Sequence, residues 1–301
     1  MAGLTMPRIM GLVLAALLPG IAALCYYFGL DYLPRLLFAA AVGLCVESAA
    51  LALQHRPLRP ALSDGSTLVT CTLITVALPP TTSLGVLAVA VVAGVALGKH
   101  VYGGLGNNPF NPAVVGYAVV LVSFPAALAA WPQPTDGLTA ATALTALRHR
   151  EGQTVAEIWA ADPAFGAVGG YGWEWINAAF LLGGVALMVL RIAAWRVPAA
   201  LLGTLALLAV VFYDSGSSRS LGSPAFHLFT GGTCLAACFF ATDPVTHPAT
   251  ARGQWLFGAL IGVVAFLVRG FGNYPDGLAF GILLANAATP YLDRRLVAAH
   301  G

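Results

Sequence analysis

The sequence predicts an all-α polytopic membrane protein with about ten transmembrane helices. Three observations lead to this class: 59% of the 301 residues are hydrophobic, only 9% are Asp, Glu, Lys or Arg, and long apolar runs recur along the chain. Soluble proteins carry about 25% charged residues, so this composition excludes a soluble enzyme, a disordered chain and a nucleic-acid-binding protein. The five cysteines form no Cys-x-x-Cys motif, and we interpret them as small hydrophobic residues. Cys234 and Cys238 share a helical face, which leaves a metal or redox role open for that pair.

Ten apolar runs are candidates for crossing the membrane, which takes about 20 apolar residues per helix. They lie near residues 9–28, 33–53, 66–79, 83–98, 111–131, 174–190, 197–213, 225–241, 254–270 and 277–292. The third run is short and ends at Pro79-Pro80, so it is either a short crossing or a broken, re-entrant helix.

Positively charged residues at the span ends predict the orientation. With both termini in the cytoplasm, nine Lys and Arg residues, Lys99 among them, flank the cytoplasmic ends, and five, Arg269 among them, flank the opposite ends. Because Lys and Arg accumulate on the cytoplasmic side, this arrangement is favoured. Residues 132–173, the longest polar stretch, are then expected outside the cytoplasm.

The chain resembles itself at an offset of roughly 160 residues. Leu68-Val69-Thr70 recurs as Leu228-Phe229-Thr230, and Gly106-Asn107-Asn108-Pro109 recurs as Gly272-Asn273-Tyr274-Pro275. Matching spans are separated by an odd number of crossings, so the copies are expected to run in opposite senses, as an inverted repeat of two five-helix halves. The predicted organisation is therefore a membrane repeat at 1–131, a loop at 132–173 and a second repeat at 174–301. The alternative is that Gly-Asn-x-Pro is only a common turn signal.

A threonine stands among small residues in the polar loop. Thr142 follows two alanines and lies six residues after Asp136, so a second protein could reach its hydroxyl. The alternative from the residues alone is a helix N-terminus capped by Asp136 or Thr139.

Motifs spread over nearly the whole chain resemble those of the NqrB/RnfD family, the membrane subunits of sodium-pumping NADH:quinone reductase and of the Rnf ion-translocating oxidoreductase. In that family an Asp-x-x-Ser/Thr-Gly-Ala-Thr motif carries FMN. Its counterparts here are Asp136, Thr139, Ala141 and Thr142, with Ala140 at the usual glycine position. The other similar segments are Asp64-Gly65, Leu78-Pro79-Pro80, residues 103–113 and Ala241-Thr242-Asp243-Pro244. Because the chain starts directly at its first span, the RnfD branch is expected rather than NqrB.

The resemblance implies two flavins and a urea-transporter-like fold with broken helices. FMN would be joined covalently through its phosphate to Thr142. A second, non-covalent flavin, riboflavin or FMN, would lie near the Gly/Asn/Pro segment, with Asn108 and Asn111 as candidate ligands. The alternative role for both asparagines is capping and bonding the broken helix itself. Asp243 is the candidate for a corresponding part in the second half.

Glu47 is predicted in the middle of the second span, where an unpaired charge costs about 2.5 to 3.5 kcal/mol. The residues leave two roles open for it, a proton or cation relay and a structural hydrogen bond. Gly43 and Glu47 also resemble a glycine and carboxylate four apart near the quinone pocket of quinone-reducing family members. No catalytic residue and no metal site are expected on this chain.

The resemblance implies a flavin-carrying subunit of an Rnf-type complex in the bacterial inner membrane, with the flavin loop in the periplasm. It would pass electrons between ferredoxin and NAD through partner subunits, coupled to Na⁺ or H⁺ translocation. The implied partners are a periplasmic flavin subunit, iron–sulfur and NAD-binding subunits, other membrane subunits, a flavin transferase and the lipid bilayer. The alternatives are a transporter or channel of the same fold, an NqrB-like quinone-reducing subunit, and a membrane scaffold without a cofactor.

Overall fold

Helices make up nearly all the secondary structure of the computed structural model, which describes residues 4–134, 139–274 and 276–298. The first part of the chain forms α1 (Met6–Phe28), α2 (Tyr32–Leu53), α3 (Leu58–Leu62), α4 (Ser66–Ala77), α5 (Leu84–Val92), α6 (Pro112–Ser123) and α7 (Pro125–Ala129). The polar loop contains the strands β1 (Trp131–Pro132) and β2 (Thr139–Ala140), then α8 (Ala143–Arg148) and α9 (Val155–Ala161). The last part forms α10 (Trp173–Val189), α11 (Arg196–Val211), α12 (Pro224–Leu228), α13 (Thr233–Leu235), α14 (Ala251–Phe271) and α15 (Leu278–Ala298).

The helices confirm an integral membrane protein, but the predicted spans differ in whether their helices are long enough to cross a membrane. Among the described residues, α1, α2 and α14 are long and apolar enough to cross a membrane, in agreement with three of the ten runs. The helices α4, α6, α10 and α11 are apolar but shorter, between 10 and 17 residues. The crossing of the remaining runs, and therefore the number ten, stays a prediction.

Two segments interrupt regular α-helix. The run predicted at 225–241 is not one helix: α12 and α13 are separated by a turn in which Gly231 has a φ of +64°, and a π-helical stretch, Ala236–Phe240, follows. In the first part, α5 continues as a second π-helical stretch, Ala93–His100. The third run is short, as expected, since α4 has 12 residues and ends before Pro79. Its crossing of the membrane stays a prediction.

Packing between the two parts of the chain produces the main apolar core. The helix α1 packs against α10, and α6 contacts α15. The approach of α1 and α10 is close: a Cβ added at Gly183 would stand 1.9 Å from the carbonyl oxygen of Ala16. Buried side chains from both parts, such as Leu24, Ile74 and Phe180, belong to the same hydrophobic cluster.

Two charges counted for the orientation are buried. Lys99 and Arg269 are 3% and 6% exposed, and each is paired with a carboxylate, so neither flanks a span as a free surface charge. Leaving them out changes the count from nine against five to eight against four. The bias still favours cytoplasmic termini, and the orientation stays a prediction.

Candidate functional site

Thr142 begins the short helix that follows the strand pair. Its backbone is extended (φ −69°, ψ 158°), and its hydroxyl accepts a hydrogen bond from the Thr145 backbone N–H at 3.4 Å. The Thr145 hydroxyl lies 3.1 Å from the same oxygen, and the Thr142 side chain is half-buried. The alternative of a cap at Asp136 or Thr139 is wrong for this helix, because its N-cap is Thr142 and Thr139 pairs in β2. Asp136 lies outside the described residues.

A cavity of about 410 Å³ lies beside Thr142. It is lined from both parts of the chain, by Tyr117 of α6 in the first part and by Asn177 of α10 and Leu278 of α15 in the second. Thr142 and Thr145 line it from the polar loop, whereas Ala141 is exposed. The predicted attachment residue therefore stands where the loop meets the contact between the two parts.

Three aromatic side chains form a compact group at this cavity. The rings of Trp131 and Trp173 meet edge to face with centroids 4.8 Å apart, and Phe28 lies 5.5 Å from each of them. Such pairs add about 0.5–1.5 kcal/mol beyond the area they bury. Because both tryptophans line the cavity, the group joins the ends of α1 and α10 to the start of the loop.

Another part of the cavity wall is polar and held by buried hydrogen bonds. The Asn177 side-chain amide donates to the Gly231 carbonyl at 2.7 Å, and its oxygen accepts from the Cys234 N–H at 2.8 Å. Asp276 receives two hydrogen bonds from the Arg269 guanidinium, at 3.2 and 2.9 Å. The Asn177 bonds fix the turn between α12 and α13, which the predicted single helix did not include.

Arg150 fastens the polar loop to the rest of the protein. Its guanidinium donates to the carbonyl oxygens of Leu147 and Gln153 within the loop, at 2.6 and 2.9 Å. It also donates to the carbonyls of Ser218 and Ser220, at 2.7 and 2.5 Å, on the connection between α11 and α12. The arginine is 9% exposed and makes no ion pair with a described residue, so its charge serves to satisfy carbonyl groups.

Asn108 forms hydrogen bonds within its own turn. Its amide donates to the Phe110 carbonyl at 3.0 Å, and its oxygen accepts from the Gly106 N–H at 3.3 Å. The residue is 2% exposed. These contacts correspond to the structural alternative, in which the asparagine bonds the broken segment itself.

Asn111 is the N-cap of α6 and a link to the second part of the chain. Its side-chain oxygen accepts from the N–H groups of Ala113 and Val114, at 2.9 and 3.2 Å. Its amide donates to the Phe240 carbonyl at 2.9 Å, and its backbone N–H donates to Asn286 at 3.1 Å. The capping alternative describes these contacts, and flavin binding by Asn108 and Asn111 stays a prediction.

Asp243 follows the second π-helical stretch and caps a turn. Its carboxylate accepts from the Val245 N–H at 3.2 Å and from the Thr246 hydroxyl at 3.4 Å. The side chain is half-buried and makes no ion pair with a described residue. The described contacts are structural, and the functional part predicted for Asp243 stays a prediction.

Glu47 is paired with Lys99, a residue that was predicted to flank the end of a span. Glu47 is 1% exposed, and its Oε1 accepts a hydrogen bond from Lys99 Nζ. The Lys99 amine also donates to the hydroxyls of Ser66 and Thr67. Charges at membrane depth occur in pairs. The sequence therefore contained a signal for this pair: a single lysine at the end of one apolar run and a carboxylate inside another.

Together these observations define a polytopic helical membrane protein in which a polar loop places a threonine beside a cavity between two sets of helices. The chain belongs to the NQR2, RnfD, RnfE family, whose sequence profile matches residues 1–300. The family resemblance expected from the motifs is thus confirmed.

Relatives in several bacteria are named as the D component of an ion-translocating oxidoreductase complex. The relative in Pseudomonas paraeruginosa is 46% identical over 306 residues, which cover 95% of this chain and 89% of that protein. The relative in Ectopseudomonas mendocina is 42% identical, with the same two shares. In Vibrio atlanticus a relative is 38% identical over 95% of this chain and 92% of its own length.

Proposed function

We propose that this protein is the flavin-carrying membrane subunit of an Rnf-type ion-translocating oxidoreductase complex. FMN is joined by a phosphoester to Thr142, and electrons pass between ferredoxin and NAD through partner subunits, coupled to Na⁺ or H⁺ translocation. The observation that carries the proposal is the position of the Thr142 hydroxyl on the wall of a cavity of about 410 Å³. The names of the relatives favour a redox complex over a transporter, a channel or a scaffold.

The cavity fits a flavin ring in size and in chemistry. Small-molecule pockets measure about 300–1,000 Å³ and are mostly apolar with a few polar groups. Here the apolar wall includes Trp131 and Trp173, and the polar groups include Asn177 and Asp276. A bound flavin exchanges one or two electrons, and the protein holds and tunes it.

Each group of residues has a defined part in this proposal. Thr142 keeps the flavin from dissociating, as a tether without a catalytic role. Trp131 and Trp173 exclude water from one side of the ring, and the pair Arg269–Asp276 keeps a charged but compensated group at the cavity. Asp136, Thr139 and Ala141 belong to the segment that a flavin transferase recognises.

The protein is one subunit of a larger assembly in the membrane. The loop lies in the periplasm and both termini in the cytoplasm of a bacterial inner-membrane protein. Partner subunits supply the periplasmic flavin, the iron–sulfur clusters and the NAD site. A second, non-covalent flavin near Asn108 and Asn111 competes with the hydrogen bonds that these residues make within the protein.

The inverted repeat belongs to the same proposal. The packing order supports it: α2 packs against α5 and α11 against α14, while α14 packs against α15 as α5 packs against α6. Two five-helix halves related in this way have the proposed site where they meet.

The proposal is tested by producing the chain together with its flavin transferase and measuring ultraviolet flavin fluorescence of the denatured protein in a gel. The parent band is expected to fluoresce, and Thr142→Ala is expected to be dark. Thr154→Ala is the matched control, because Thr154 caps α9 in the same loop as Thr142 caps α8. A dark parent band from transferase-competent cells, or a fluorescent Thr142→Ala band, contradicts the proposal.

A further inference from the structure

A buried cluster of polar side chains lies between α2, α4 and the π-helical stretch Ala93–His100. Its members are Glu47, Ser66, Thr67, Lys99 and His100, which are between 1% and 5% exposed. None of them lines the cavity beside Thr142. The cluster is therefore separate from the proposed flavin site.

The Lys99 amine is surrounded by oxygen atoms. It donates to Glu47 Oε1, to the Ser66 hydroxyl at 2.8 Å and to the Thr67 hydroxyl at 3.0 Å. An ammonium group has three N–H donors and no acceptor, so these three oxygens use its donors completely. The Ser66 hydroxyl donates in turn to Asp64 at 2.5 Å, which leaves its lone pairs free to accept from Lys99.

The carboxylate of Glu47 and the hydroxyls of Ser66 and Thr67 are the kinds of oxygen ligand that bind a hard cation. Carboxylate and other oxygen ligands suit cations of this kind, and the lysine ammonium is a compact point charge on a flexible chain. One more oxygen is available, because Glu47 Oε2 is buried and has no hydrogen-bond partner among the described residues. The adjacent His100 places its Nε2 3.5 Å from the same Glu47 Oε1, and its ring nitrogens make no hydrogen bond with a described residue.

We propose that Lys99 Nζ occupies a monovalent-cation site built from Glu47, Ser66 and Thr67. The chain supplies its own cation there, so the site is closed to free Na⁺ while the amine is in place. Removing the amine opens the site: Na⁺ then binds to the Glu47 carboxylate and the two hydroxyls. The cluster is thus a cation site whose occupant is covalently part of the protein.

The test compares Na⁺-specific stabilisation of the parent and of Lys99→Ala, as purified full-length proteins in lipid nanodiscs. The thermal midpoint is measured in NaCl and in choline chloride at equal ionic strength, so that general salt effects cancel. The difference between the two salts is expected to be roughly 5 °C larger for Lys99→Ala than for the parent at saturating Na⁺. The double variant Lys99→Ala/Glu47→Gln is the matched control and is expected to return to the parent difference.

Lys99→Met is measured beside Lys99→Ala, because it fills more of the space of the lysine stem and is expected to fold if the alanine variant does not. Equal salt differences in the parent and in the folded Lys99 variants overturn the proposal. So does a larger Na⁺ effect that persists in the double variant, since the ion would then bind away from Glu47. The proposal is also overturned if Glu47→Gln in the parent background lowers the difference between the two salts. The site would then already admit free Na⁺ with Lys99 in place.

Discussion

The side-chain amide of Asn111 donates a hydrogen bond to the backbone carbonyl of Phe240 at 2.9 Å. Asn111 is the N-cap of α6, and Phe240 ends the second π-helical stretch, so one side chain joins the two parts of the chain. The bond is buried, and its loss leaves a carbonyl without that partner.

Replacing Asn111 with alanine is therefore expected to lower the free energy of unfolding by about 2–4 kcal/mol, from a lost cap and an unsatisfied buried group. The loss of stability is measured as a lower midpoint of thermal unfolding for the variant in lipid nanodiscs. Asn107→Ala is the control, because Asn107 is exposed and no hydrogen bond of its side chain is described. Equal midpoints for the two variants contradict the structural role of Asn111.

The Glu47–Lys99 pair predicts a double-mutant cycle. In sodium-free medium Glu47→Gln or Lys99→Met alone is expected to cost about 3–5 kcal/mol, because each leaves one buried charge without its partner. The double variant is expected to recover much of this loss, since no buried charge remains. Additive losses in the double variant would show that the two groups are not coupled.

Arg150 predicts a local effect on the polar loop. Arg150→Ala removes four hydrogen bonds to carbonyl groups and is expected to speed cleavage of the loop near Gly152 by about 100-fold in limited proteolysis. Arg219→Ala is the control, because Arg219 is an exposed arginine between the two serines that Arg150 contacts. Unchanged cleavage in Arg150→Ala argues against the anchoring role.

The contact between α1 and α10 predicts a steric effect. Gly183→Ala places a Cβ within 1.9 Å of the Ala16 carbonyl oxygen, so the helices must separate, at a cost of about 1–3 kcal/mol. Gly203→Ala is the matched control, because nothing lies within 4 Å of a Cβ at that helical position. A thermal midpoint for Gly183→Ala as high as that of Gly203→Ala contradicts this packing.

The membrane class and the long helices could be predicted from the sequence because apolar run length fixes them directly. The runs at 9–28, 33–53 and 254–270 became α1, α2 and α14, close to their predicted bounds. The family resemblance implied broken helices, but composition does not show where an apolar run breaks, and so the run at 225–241 was predicted without the interruption between α12 and α13.

Partners across the chain were harder to predict than single residues. Thr142 and Glu47 could be singled out from a motif and from a charge at membrane depth, but the residues that contact them could not. Lys99 lies 52 positions from Glu47, and its position at the end of an apolar run also suits a surface charge. Only the fold of α2 against the π-helical stretch brings the two together.

The most direct test of the proposed function is mass spectrometry of the peptide that contains Thr142, prepared from the native complex. The peptide is expected to carry the mass of FMN less one water, as a phosphoester at Thr142, with the threonine at 154 unmodified. An unmodified Thr142 peptide from a complex that is fully assembled and active would contradict the assignment of this chain as the flavin carrier.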